Sequence, residues 1–147
     1  MITQGIIKRQ KQSGFTIVEL LIVIVVIGIL AAITVVSYTG ITQRANTAKA
    51  QTNAVAVKNV ADAYYAEENV YPTALGHFTS GVATLPAGIT FIASGLDATN
   101  GDDSIIYIPY GSGVGATIQY WDFSVGSAVT MDVGDVSGTA GTAVTSS

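Results

Sequence analysis

Glu19 is the only ionisable residue in the apolar run 15–36. A carboxylate inside a membrane span costs about 2.5–3.5 kcal/mol at the centre and less near the edge, and it usually has a charged partner. If the chain is cut after Gly14, the new α-amine of Phe15 is a cation four residues away. The spacing therefore predicts an amine–carboxylate pair, formed within one helix or between two staggered copies of the chain.

Other candidates for chemistry are weaker. His77 is the only histidine, and the chain has no cysteine, so a thiol nucleophile and a disulfide are excluded. A loop or packed histidine is favoured over a catalytic one, because no serine elbow or second histidine accompanies it. We therefore predict no enzymatic activity and no cofactor.

Glu19 lies in the apolar run 15–36, whose length is typical of a membrane-spanning helix. As a helix it would be roughly 33 Å long, enough to cross the hydrocarbon core of a membrane. Lys8, Arg9 and Lys11 precede it, so the positive-inside rule places the N-terminus in the cytoplasm and the remainder outside. Three alternatives stay open: a secretory signal cleaved near "ILAAIT", an uncleaved single-span anchor, and a polar leader removed after Gly14 with the helix retained.

Charge is divided unevenly along the chain. Residues 1–14 hold three basic residues and no acid, whereas residues 15–147 hold three basic residues against all ten acids, a formal charge of −7. No Lys or Arg follows Lys58. A phosphate-binding groove needs clustered basic side chains, so direct nucleic-acid binding by this chain is not expected.

The helix is expected to continue beyond the apolar run, from Phe15 to about Glu68. Gly40 is the one interior interruption of its second half, at a cost of about 1 kcal/mol relative to Ala. Pro72 cannot continue the helix and ends it. Small or apolar residues recur in this half at spacings of four and three, the stripe of an amphipathic helix: Ala50, Ala54, Val57, Ala61 and Tyr64.

The C-terminal half reads as short strands separated by turn residues. Pro109 suggests an edge or a bulge in the second strand. The predicted fold class is α+β: a long N-terminal helix whose hydrophobic half protrudes and whose amphipathic half packs on a small antiparallel sheet of three to four strands. The Gly/Ser/Thr-rich tail 135–147 is predicted to be flexible in preference to a weak edge strand around "TAVTS". The predicted strands are Gly88–Ser94, Ser104–Tyr110, Ala116–Ser124 and Ala128–Val133.

The segment "GFTIVELLIVIVVIGILAAI" behind a short basic leader resembles the class III signal of type IV prepilins, pseudopilins and competence pilins. The resemblance implies that Gly14 precedes the cleavage site, that Phe15 is the N-methylated first residue of the mature subunit, and that Glu19 recruits and registers the next subunit. "AYYAEENVYP" is similar to the tyrosine-rich helix end and Tyr-Pro turn of these subunits. The two segments cover about half of the chain.

The resemblance implies a pilin fold with five segments. These are a cleaved cytoplasmic leader (1–14), a transmembrane and filament-core helix (15–38), the amphipathic half of that helix (39–69), a sheet head (70–134) and the tail (135–147). The implied partners are other copies of the chain in a helical filament, a prepilin peptidase, membrane lipid before assembly, and an inner-membrane assembly platform with a cytoplasmic ATPase.

Three functions follow from these readings. The first is a structural subunit of a type IV pilus, a surface filament for adhesion or twitching motility, made from a single-pass membrane precursor. The alternative is a pseudopilin or competence pilin of a type II secretion or DNA-uptake machine. A different class of protein, a single-span anchored extracellular binding domain, would keep residues 1–14 and form no polymer.

The chain departs from many family members at identifiable positions. Val36 stands where many have a proline, and in family filaments the helix loosens between the glycine equivalent to Gly28 and that proline. The resemblance implies a helix-melting or packing role for Gly28, and simple tolerance of glycine in a membrane helix is the alternative. The family's C-terminal cysteine pair is absent. Asp132 and Asp135 resemble a late acidic loop that binds calcium in some pseudopilins, which makes them weak calcium candidates, although solvated turn acids are favoured there.

Overall fold

The computed structural model describes residues 14–79 and 84–146. It contains a helix α1 (Ile17–Glu68), a short helix α2 (Gly76–Thr79) and four strands, β1 (Thr90–Phe91), β2 (Ser104–Tyr110), β3 (Gly115–Asp122) and β4 (Ser127–Gly134). The α+β class is confirmed. The predicted leader lies outside the described residues, except for Gly14.

Helix α1 ends at Glu68 as its sequence predicts, but it begins at Ile17, two residues after the predicted start at Phe15. Thr16 caps the first turn, and Asn69 follows the last turn in the left-handed region with φ 57°, a conformation that asparagine tolerates. The N–H of Asn69 donates to the carbonyl of Tyr65 at 2.9 Å. Pro72 lies three residues further on and cannot be added to the helix.

The chain divides into two compact units between Tyr38 and Thr39. In the described part of the first unit, residues 14–38, every residue is exposed. This part belongs to the one helix among the described residues that is long and apolar enough to cross a membrane. An apolar surface of this size is stable in lipid or against other protein, and not in water.

The second unit is built on a four-stranded sheet in the order β1-β2-β3-β4. β2, β3 and β4 pair antiparallel, with Ile108 opposite Thr117 and Ile118 opposite Met131. β1 is parallel to β2, so the predicted all-antiparallel sheet is wrong at this edge and the sheet is mixed. The loop 92–103 is long enough to return the chain before β2 begins, as a parallel connection requires.

β1 is also shorter than the predicted strand Gly88–Ser94, because the C-terminal tail occupies the rest of the same edge of β2. Isolated bridges join Tyr107 to Val144 and Tyr110 to Ala140. Val144 is only 5% exposed. This pairing corrects the expectation of a tail without fixed partners and agrees with the alternative of a weak edge element.

The predicted helix stripe packs on the sheet. Ala50, Ala54, Val57 and Ala61 are buried in the same core as residues of the strands, whereas Tyr64 is only half-buried. Opposite them, an aromatic cluster fills the space between α2 and the sheet, with ring centroids 4.9 to 6.2 Å apart. Its members are Phe78, Phe91 and Tyr107.

Candidate assembly site at the start of the helix

Glu19 and Thr16 form a reciprocal cap at the start of α1. The backbone N–H and the hydroxyl of Thr16 both donate to Oε2 of Glu19, each at 2.8 Å. The N–H of Glu19 donates to the Thr16 hydroxyl oxygen at 3.2 Å. This is the capping-box arrangement, which satisfies N–H groups that a helix start leaves without partners.

The cap fixes where the carboxylate lies. Oε1 of Glu19 has no hydrogen bond to any residue in 14–79 or 84–146, and the side chain is exposed. Phe15 lies just outside the helix, 82% exposed. One carboxylate oxygen therefore stabilises its own helix, while the other can accept a hydrogen bond from an ammonium group of the same or another chain.

Gly14 is not required by the packing around it. A Cβ added there would meet no atom within 4 Å, and the φ of Gly14 lies outside the left-handed region. The same holds for Gly28 and Gly40 inside α1, where glycine costs about 1 kcal/mol relative to Ala. If these glycines are needed, the requirement comes from a partner outside the subunit.

α1 runs without interruption past Gly28 and Val36. Two hydroxyl groups near Val36 donate to carbonyls of the preceding helical turn. Thr34 donates to the carbonyl of Ala31 at 2.9 Å, and Ser37 donates to the carbonyl of Ile33 at 3.0 Å. Such back-bonding competes with the helical hydrogen bonds and favours bending. The melting or packing role of Gly28 stays a prediction.

The weak calcium candidates are engaged separately. Oδ1 of Asp132 accepts from the Thr117 hydroxyl at 2.6 Å across the β3–β4 pair. Oδ1 of Asp135 accepts from the N–H of Ser137 at 2.9 Å, and the hydrogen bonds from Ser137 lower the pKa of Asp135. Within the described ranges no three His, Cys, Asp or Glu side chains come together as metal ligands.

His77 lies against the end of α1. Its Nδ1 accepts from the N–H of Thr73 at 3.2 Å, and its ring stacks on Tyr64 with centroids 4.8 Å apart. These contacts hold the turn that follows Pro72 against the helix, which is a packing role.

Two stabilising contacts were not predicted from the sequence. The Thr16–Glu19 cap could have been found from the T-x-x-E spacing in "TIVE". The second device is Tyr71, whose N–H donates to the carbonyl of Gly113 at 2.7 Å and whose ring stacks on Tyr65. Its hydroxyl faces the Asp62 carboxylate at 3.4 Å, and burial together with that charge raises the pKa of Tyr71. No local pattern links Tyr71 to a turn so far along the chain.

Comparison with known proteins bears on the same N-terminal segment. Residues 9–35 match the family model described as the prokaryotic N-terminal methylation motif. The chain is 42% identical over 66 residues to the type II secretion system core protein G of Vibrio cholerae, covering 45% of each protein. It is 41% identical over 63 residues to core protein G of Escherichia coli K12, covering 43% of each.

A fimbrial protein gives a longer match. EcpC of Eikenella corrodens is 34% identical over 95 residues, covering 63% of this chain and 61% of that protein. The chain spans less than half the length of the core protein G relatives it matches. No solved structure matches the chain.

The apolar helix and the sheet form an α+β, pilin-like arrangement. The methylation motif and the homology to core protein G and to a fimbrial protein confirm the resemblance drawn from the sequence, to the type IV pilin and pseudopilin family.

Proposed function

We propose that this chain is a filament subunit of the pseudopilin type, which polymerises through α1 in a machine related to type II secretion. The observation that carries the proposal is Glu19, held by Thr16 at the start of an otherwise apolar and exposed helix. The sequence alone favours a surface type IV pilus, whereas the similarity to core protein G favours the pseudopilin alternative.

The N-terminus is processed before assembly. A prepilin peptidase cuts after Gly14, and Phe15 is then N-methylated. The exposed position of Phe15 and the absence of packing around Gly14 among the described atoms leave the bond accessible. The product has an ammonium group beside a carboxylate, a pair that the uncut chain lacks.

The apolar part of α1 serves first as a membrane anchor and later as the filament core. Moving it from lipid into a core of other helices exchanges one apolar environment for another, so the hydrophobic effect gives little direction to assembly. Pairing of Glu19 with the Phe15 amine of a neighbouring copy supplies the register. An assembly platform with a cytoplasmic ATPase supplies the force.

The second candidate function is a surface pilin. It is favoured by the fimbrial relative, whose match extends over 95 residues and therefore into the head. Gripping of DNA by this subunit is disfavoured, because no Lys or Arg follows Lys58.

The first experiment is mass spectrometry of the N-terminal peptide of the protein from its own cells. A peptide that begins at methylated Phe15 is expected. An intact Met1, in cells that process other prepilins, would reduce the protein to an anchored binding domain. In the same cells, Gly14→Leu should leave the leader uncut, whereas Gly40→Ala is the matched control and should be processed normally.

Deletion of the gene separates the two filament functions. A pseudopilin deletion abolishes export of folded proteins and leaves surface filaments in place. A pilin deletion removes the surface filaments and leaves export unchanged. The second result would overturn the pseudopilin assignment in favour of the pilin.

A further inference from the structure

The cations of the second unit are almost all neutralised within it. Nζ of Lys49 lies 2.8 Å from Oδ1 of Asp102, and Nζ of Lys58 pairs with Asp62 one helical turn away. Arg44 is exposed and has no ion pair with any described residue. It is the one guanidinium in residues 15–147.

Most acids of this unit are also engaged, and the exceptions in the described chain are Asp103 and two adjacent acids at the end of α1. Asp97, Asp122 and Asp135 accept hydrogen bonds from nearby Thr or Ser groups. Glu67 and Glu68, in contrast, are exposed and have no hydrogen bond or ion pair within the described chain.

Glu67 and Glu68 occupy the unfavourable end of the helix. The last turn of α1 contains no basic residue, although the partial negative charge at a helix C-terminus favours cations and disfavours carboxylates. A sequence that breaks a local rule without compensation inside the subunit points to a functional contact. A cation from another molecule would compensate the negative charge of these two carboxylates.

Arg44 and Glu68 each have an exposed apolar side chain three residues before them on α1. Ile41, 67% exposed, lies three residues before Arg44, and Tyr65, 40% exposed, lies three residues before Glu68. Residues three apart share a helix face. A shift of 24 residues brings Ile41 onto Tyr65 and Arg44 onto Glu68 at once, which corresponds to about 36 Å along two parallel helices.

We propose that Arg44 of one copy binds the Glu67–Glu68 carboxylates of a second copy, with Ile41 against Tyr65. This inference rests on the proposed function and specifies a contact between filament subunits. The two patches, Ile41 with Arg44 and Tyr65 with Glu67 and Glu68, differ, and they lie on α1 faces roughly 120° apart. The contact is therefore heterologous, and such contacts propagate into helical filaments rather than closing a dimer.

Charge exchange in the full-length protein, assembled in its own cells, tests the contact. Arg44→Glu and Glu68→Arg are each expected to lower the yield of sheared filaments by about threefold or more, since an exposed pair is weak singly but repeats along the polymer. The combined variant should regain most of the yield, because it restores the pair with its polarity reversed. The milder Arg44→Gln should lie between Arg44→Glu and wild type.

Thr130 supplies the matched control. It is exposed on β4, and Thr130→Glu and Thr130→Arg alter net charge without touching either patch. These variants should assemble as wild type does. The amount of processed, membrane-inserted subunit is measured for every variant, so that lost subunit is not counted as lost assembly.

The outcomes separate this contact from the proposed function. If wild type is uncut or forms no polymer, the proposed function fails and the contact with it. If wild type polymerises and Arg44→Glu polymerises equally well, or if the combined variant is no better than the single ones, the contact is wrong and the filament function stands.

Discussion

The backbone N–H of Tyr71 donates to the carbonyl of Gly113 at 2.7 Å, which joins the segment after α1 to the β2–β3 turn. The backbones of Gly113 and Tyr71 also lie too close for a side chain at residue 113. A Cβ added to Gly113 would lie 2.8 Å from the carbonyl oxygen of Tyr71. The end of the long helix is therefore held to the sheet by backbone contacts in which a side chain has no room.

Gly113→Ala should destabilise the head by roughly 2–4 kcal/mol, because it adds the strain of a positive φ to an overlap with backbone that cannot turn away. Gly88→Ala is the control. Its φ of 97° resembles the 89° of Gly113, but no atom lies within 4 Å of its added Cβ, so it carries the strain alone. Thermal unfolding of the full chain in detergent measures both, and equal losses would show that the Tyr71 contact does not limit the site.

Helix capping by Glu19 can be separated from its charge. Glu19→Gln keeps an acceptor for Thr16 and removes the charge, whereas Thr16→Val removes the two hydroxyl bonds of the cap and keeps the backbone N–H bond and the charge. We expect Glu19→Gln and Glu19→Ala to insert into the membrane yet assemble poorly, and Thr16→Val to lose less. The readouts are membrane-fraction subunit and filament yield. Wild-type filament yield from Glu19→Gln would contradict the pairing with the Phe15 amine.

Much of this architecture follows from sequence periodicity. The stripe from Ala50 to Ala61, the end of α1 before Pro72 and the bounds of β2 are set by local geometry, so they could be predicted. The bounds of β3 and β4 differ from prediction by one or two residues, because turn residues and strand ends overlap in composition.

The errors have a common cause. The parallel pairing of β1 and the bridge between Val144 and Tyr107 both lie along one edge of β2. Which segment pairs with that edge depends on contacts between residues far apart in sequence, so local patterns could not predict it. The charge of Glu19 was predictable from the sequence, and its bond to Thr16 could also have been predicted from the T-x-x-E spacing. Arg44 and Glu68 were unremarkable in sequence, since only the structure shows which other charges are already paired.

Asp122 should make stability depend on pH below about 4. Its Oδ1 accepts from Ser124, from the N–H of Val125 and from the Thr47 hydroxyl of α1, and these bonds, those of Ser124 first, lower its pKa from the usual 3.8. A depressed carboxyl pKa contributes stability that is fully present above about pH 4 and is lost as the pH falls through the folded-state pKa.

Asp122→Ala tests this directly. At pH 7 the variant should unfold at a lower temperature than wild type, and the difference should shrink as the pH falls to 3. Asp103→Ala is the matched control, since no hydrogen bond reaches its carboxylate within the described chain. A difference that stays constant between pH 7 and pH 3 would show that the Asp122 bonds do not depend on its charge.

Val144 should anchor the C-terminal tail to the sheet. Its N–H donates to the carbonyl of Tyr107 at 2.9 Å, and its side chain is 5% exposed. Val144→Ala removes two buried methyl groups and should cost roughly 1.5 kcal/mol. Val125→Ala, at a side chain 73% exposed, should change stability by less than about 0.5 kcal/mol.

Hydrogen exchange tests where the tail opens. The amide of Val144 should lose protection before the β2–β3 ladder does, because the tail bridges β2 at isolated points. Equal protection of the tail and the ladder would mean that the tail unfolds with the sheet as one unit.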